Sequence, residues 1–238
     1  MSSESFNFNQ FVKDSVNTLT KPRAYFAEMP VTGGLGVPIV KALIYGAIAG
    51  IFTFLWSVLK IGGATTGLFG GAIGIMAFIW VIIGALIGLF IGAVVMLIIS
   101  AICGGSTVYE ANARVTASLM VLMPINALFG FIGGGVGTVI TFIINLYALY
   151  LIYHAVTQSL KGKEGPSRIV TIILAVLLVI FLLVGLFTRK AAKNYFDNFE
   201  SEWEQTIEDS SKDIEKSMKD LAKEIEEAAE EIEEDPEK

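Results

Sequence analysis

Apolar residues run through this chain in long blocks that charge hardly interrupts. No Asp, Glu, Lys or Arg occurs at 42–59, 61–109, 115–160 or 169–188, and His154 is the only other ionisable imidazole or amine there. A helix needs about 20 apolar residues to cross a hydrocarbon layer of about 30 Å. The blocks predict about five spans, at 38–59, within 72–102, and at 115–132, 136–156 and 169–187. The stretch 72–102, about 31 residues, is too short for two spans and a turn, so one long tilted helix is expected there. Glycines at 62–67, 104–105 and 133–135 mark turns, and 161–168 is a basic loop containing Gly165 and Pro166. Residues 109–114 read as a polar link in which Glu110 and Arg114, four apart, can pair on one helix face.

The flanks follow a different pattern. Phe8, Phe11, Val12, Val16 and Leu19 recur at helical spacing among polar residues, which predicts a short amphipathic helix in the membrane interface. Thr20 and Pro22 suit the start of a second helix, and Pro30 with Gly33 and Gly34 ends it. Beyond residue 196, Trp203, Ile207, Ser210, Ile214, Met218, Leu221, Ile225, Ala228 and Ile232 mostly alternate steps of three and four. They form a heptad-like seam, read either as a coiled coil or as a lone solvated helix. The expected class is all-α: a multi-pass transmembrane helical bundle of about five spans, with an interfacial N-terminal helix and a long charged C-terminal helix. The segments are 1–37 (interfacial), 38–190 (transmembrane) and 191–238 (acidic tail).

Composition sharpens this. Hydrophobic residues make up 54% of the 238 and charged ones 17%, against roughly 25% charged in soluble domains. The polar N-terminus carries no cleavable-signal pattern, so the first span is expected to direct insertion. One cysteine, Cys103, permits no intrachain disulfide. The net charge of −6 hides a split, with 18 acids and 5 lysines from Asp197 onward and 12 bases and 5 acids before it. Lys13, Lys21, Arg23, Lys41, Arg114, Lys161, Lys163 and Arg168 fall on one side of a five-span topology. Lys60, Arg189, Lys190 and Lys193 fall on the other. The positive-inside rule then places the N-terminus in the cytoplasm and the tail on the opposite side.

Few residues offer chemistry. One histidine, one cysteine and no metal-ligand spacing predict neither metal nor cofactor, and no glycine run is followed by the Lys-Ser/Thr of a phosphate loop. The glycines have another use. Gly84, Gly88 and Gly92 lie four apart on one face of the second span, Gly46 and Gly50 repeat this in the first, and Gly130 and Gly134 repeat it later. Such faces let helix backbones approach closely. Four other residues stand within the spans: Pro124, Asn126, Asn145 and His154. Asn126 is read as satisfying backbone freed by Pro124, Asn145 as bonding another helix, and His154 as interfacial. The sharper reading places the two asparagines and the proline at a midplane transport site.

Gly104-Gly105-Ser106-Thr107-Val108-Tyr109-Glu110, then Arg114 and Pro124, resembles the Yip family of small five-span membrane proteins. So does Lys21-Pro22-Arg23-Ala24-Tyr25-Phe26-Ala27-Glu28-Met29-Pro30, followed by Gly33-Gly34-Leu35. The resemblance covers about 19–187. It implies five spans, a cytoplasmic N-terminus and a far-side C-terminus. In eukaryotic relatives it implies trafficking through small GTPases. This chain lacks their long N-terminal region and adds an acidic tail, which favours a prokaryotic type in a cell membrane and argues against a GTPase partner. The expected function is a non-enzymatic membrane scaffold or adaptor, with a small-solute or ion transporter as the alternative. The expected partners are the lipid bilayer and a second copy or another protein, and no nucleic acid.

Overall fold

The computed structural model describes residues 6–59 and 74–185, with Ser217. The turn at 62–67 and the heptad seam of the tail lie outside the described residues. The elements are α1 (Phe8–Thr20), α2 (Pro22–Glu28), α3 (Gly36–Val58), α4 (Gly74–Ile102), α5 (Tyr109–Leu119), α6 (Leu122–Leu128), α7 (Gly134–His154) and α8 (Glu164–Gly185). Among the described residues, five stretches are long and apolar enough to cross a membrane: Gly36–Val58, Phe78–Ile102, Tyr109–Phe131, Gly134–Ser159 and Glu164–Gly185.

The N-terminal helices start and stop for local reasons. The Asn7 side chain caps α1 by accepting from the Gln10 N–H at 3.1 Å, one of the donors a helix start leaves unpaired. Pro22 occupies the first turn of α2, where its missing N–H costs nothing. The chain then turns through Gly33 and Gly34, both at positive φ (120° and 86°), a conformation that L side chains rarely adopt.

α3 lies along α4, α4 packs on α5, and α6 returns to α3. Small residues form much of this contact: Ala42, Ala49, Ala85, Ala93, Ala111, Ala113 and Ala117 are buried, with Tyr45, Leu89, Met96 and Val115 between them. Lipid is as apolar as these side chains, so association of spans rests on close van der Waals contact. At the far end Trp56 donates its indole N–H to Ala127 O at 2.9 Å and packs on Phe131.

The third span differs from its expected form. The helix starts at Tyr109, six residues before 115, so the polar link of 109–114 is the first part of the same helical stretch. It is also broken, with α5 ending at Leu119 and α6 starting at Leu122. Pro124 sets the break, because its ring excludes the carbonyl four residues earlier. That carbonyl, Met120 O, accepts from the Met123 N–H at 2.9 Å instead.

α7 ends in a π-helical turn, Ala155–Ser159. The loops that follow α4 and α7 interlock: Ser106 N–H donates to Leu160 O at 2.7 Å, and Lys163 N–H to Cys103 O at 2.9 Å. A Cβ on Gly105 would stand 2.8 Å from Leu160 O, so this approach requires glycine. α1, α2 and both loops therefore share one end of the bundle.

Candidate functional site: a polar cap on the bundle

α1 is docked in an unusual sense. Phe11 and Thr18 are buried, with Asp14 and Ser15 partly so, and these four lie on one side of the helix. Phe8, Val12 and Val16, its more regular apolar stripe, are exposed. A helix on a water-soluble protein turns its apolar stripe inward. Here polar groups make most of the docked face.

Those groups form a linked network. Lys41 Nζ donates to Asp14 Oδ2 at 2.9 Å and lies 3.4 Å from Tyr25 Oη. The Tyr25 hydroxyl pairs with Ser118 Oγ at 2.8 Å, and the Ser15 hydroxyl with Tyr45 Oη at 2.7 Å. One connected path thus joins α1, α3, α2 and α5. Lys41 is only 8% exposed, and an ammonium at that depth is tolerated when paired and hydrogen-bonded. Ser159 Oγ donates to Phe26 O at 2.6 Å, and the Tyr147 hydroxyl donates to Leu19 O, which fixes α2 and the end of α1 to the α7 segment.

Glu110 and Arg114 reach from α5 to the loop between α2 and α3. Glu110 Oε1 accepts from the Gly34 N–H at 2.6 Å. Arg114 donates through Nε to Pro30 O at 2.8 Å and through Nη1 to Gly34 O at 3.1 Å. The N–H and the C=O of Gly34, a positive-φ glycine, are thereby both paired. Asn112, fully buried, donates to Ser106 O at 3.0 Å and Val108 O at 2.9 Å, while its Oδ1 has no partner. A cavity of about 100 Å³ lies within the cap, lined in part by Gln10, Asp14, Lys41, Arg114 and Ser118. Small-molecule pockets run to roughly 300–1,000 Å³, so this one accommodates little more than a few waters.

The glycines divide into two groups. A Cβ at Gly46 would stand 2.7 Å from Ala85 Cβ, one at Gly50 2.8 Å from the Phe78 ring, and one at Gly92 2.8 Å from Thr116 Cγ2. At Gly130 the nearest atom is Trp56 Cδ1 at 3.9 Å, and at Gly84, Gly88 and Gly134 nothing lies within 4 Å. Asn126, beside Pro124 on α6, is half-buried. Asn145 donates to Thr141 O of its own helix at 2.9 Å. His154 packs edge-on to Tyr150 at 4.6 Å, and its Nδ1 is buried without a hydrogen bond. None of the three lines the cap cavity. Among the described residues no group of three His, Cys, Asp or Glu could hold a metal.

Sequence reasoning missed the centre of the cap: Asp14, Ser15, Tyr25, Lys41, Tyr45 and Ser118. One signal was present. Only five acids precede Asp197, so each of the acids near a membrane-embedded base was a candidate partner for it.

Five apolar helices sealed at one end by this network define an α-helical multi-pass integral membrane protein. A family model, the Yip1 domain, matches residues 16–186, and the chain belongs to that family. Searches of curated proteins and of solved structures return no match.

Proposed function

We propose that the chain is a non-enzymatic membrane scaffold or adaptor that associates with a second copy or with another membrane protein through its spans. The observation that carries this reading is the surface of its last two spans. The apolar window of Gly134–Ser159 is 6% buried and that of Glu164–Gly185 is 0% buried, against 44% for Tyr109–Phe131. Bilayer or other apolar helices must cover such surfaces. The transporter reading needs a site between Asn126 and Asn145, and neither residue lines the cap cavity described above. The test is the association state of the chain in its native bilayer. Stoichiometric complexes support the proposal, and a lone monomer opposes it.

The same reading places the polar cap at the cytoplasmic interface and α1 in the headgroup layer. α1 has three faces: Phe11, Asp14, Ser15 and Thr18 toward the bundle, Phe8, Val12 and Val16 outward, and Gln10, Lys13 and Asn17 on the remaining side. A helix wedged between protein, lipid and water needs these three surfaces. A Phe8→Trp variant in vesicles is expected to lose much of its added fluorescence to brominated acyl chains. Unquenched emission would place α1 away from the bilayer.

A further inference from the structure

Where α1 meets α2, a groove of about 490 Å³ opens beside α7, lined by Lys21, Arg23, Tyr150 and Gln158 together with Thr20, Pro22 and two alanines. No acid lines it. Lys21 and Arg23 are both exposed, and neither forms an ion pair among the described residues. Among the described residues, then, the two positive charges of the groove meet no compensating carboxylate.

Its lower edge continues into lipid-facing surface. Tyr150 stands at the top of a row on α7 formed with Leu146, Ile143 and Val139. Steps of four, three and four place these residues on one helix face. All four are exposed. The tyrosine is held in place by its edge-on contact with His154 at 4.6 Å, and α7 is fixed to the end of α1 by the hydrogen bond from the Tyr147 hydroxyl to Leu19 O. Cationic groove and apolar row are thus parts of one surface, with an interfacial aromatic at their junction.

We propose that this surface is a binding site for an anionic phospholipid. The phosphate sits between Lys21 and Arg23, with the Gln158 amide in reach of the headgroup, and an acyl chain lies along Tyr150, Leu146, Ile143 and Val139. Arginine matches phosphate oxygens with paired donors, and lysine supplies a point charge. A zwitterionic headgroup fits less well, because its cation would meet two uncompensated positive charges. Free inorganic phosphate could use the groove but gains nothing from the row.

The test uses the full chain in nanodiscs of phosphatidylcholine with one-tenth phosphatidylglycerol. After partial delipidation, retained lipid is counted by native mass spectrometry. The wild-type chain is expected to keep one phosphatidylglycerol in preference to phosphatidylcholine. Each juxtamembrane cation contributes about fivefold to anionic-lipid affinity, so Lys21→Gln with Arg23→Gln should lower the preference by about 25-fold. Lys13→Gln, which removes a cation outside this groove, should leave it unchanged. Unaltered preference in the double variant would overturn the site. Equal loss with Lys13→Gln would reduce it to general surface charge and overturn it as well. Displacement of the lipid by millimolar inorganic phosphate would show that the row adds nothing, and the lipid assignment would fall.

Discussion

Replacing Arg114 with alanine is expected to destabilise the bundle by about 3 kcal/mol or more. Hydrogen bonds from a charged donor contribute about 1.5–3 kcal/mol each, and Arg114 makes two to backbone carbonyls, Pro30 O and Gly34 O. Arg114 is 5% exposed, so water could not readily replace what it provides. The loss should appear as a lower midpoint in detergent-driven unfolding. Arg114→Lys should fall between the two, since an ammonium cannot span both carbonyls as the guanidinium does. Local loosening should accompany the change, with faster amide exchange at 31–34 and in α2. If Arg114→Ala unfolds at the wild-type midpoint, the loop does not depend on this anchor, and the cap is weaker than its geometry implies.

The second large effect is expected at the α3–α4 crossing. Gly46→Leu should cost about 3 kcal/mol, the upper part of the range for overpacking a close contact. Even the first added carbon would stand 2.7 Å from Ala85 Cβ and 3.5 Å from Ile82 Cα. Neither neighbour can swing aside, one being an alanine methyl and the other backbone. Gly88→Ala is the control. It meets nothing within 4 Å, and alanine is the better helix former by up to about 1 kcal/mol. It should be neutral or mildly stabilising. Equal effects at the two positions would mean that the contact at Gly46 does not govern helix packing.

The contrast between these glycines marks a limit of the sequence. Gly84, Gly88 and Gly92 share a face by spacing alone, yet only Gly92 meets a neighbour within the described chain, Thr116 on α5. Spacing gives the face of a helix; the packing partner depends on how five helices are arranged. The spans themselves were legible because hydrocarbon thickness demands long uncharged runs, and few other segments satisfy that demand. The start of the third span was not. Glu110, Asn112 and Arg114 look like a polar link, yet they open the helix itself: distant groups satisfy Glu110 and Arg114, and the nearby Ser106 and Val108 carbonyls satisfy the Asn112 amide. The distant groups are the backbone of Gly34 and Pro30. Lys41 and Asp14, 27 residues apart, are a similar case: a single sequence contains both charges but not their meeting. The break near Met120 was half legible. Pro124 announced it, but the Met123 N–H that takes up Met120 O is a product of the local backbone path.

The polar cap and the bare outer spans suggest a division of labour. The cap anchors α1 and α2 to α3, α5 and the α7 turn, so that end of the molecule is held by many specific bonds. α8 presents apolar side chains around its circumference, including Ile173, Val176, Ile180 and Phe181. In the scaffold role proposed above, the cap would be the fixed platform and the outer spans the apolar surface offered to a partner.

The most direct test of that account is the mass of the particle that contains this chain when it is cut from its native membrane, lipid included, by a nanodisc-forming polymer. The account predicts a particle holding two or more copies, or one copy with a stoichiometric membrane partner. Charged substitutions at Val176 and Ile180 on α8 should break it up. A particle containing a single copy and lipid alone, at native expression levels, would contradict the scaffold reading.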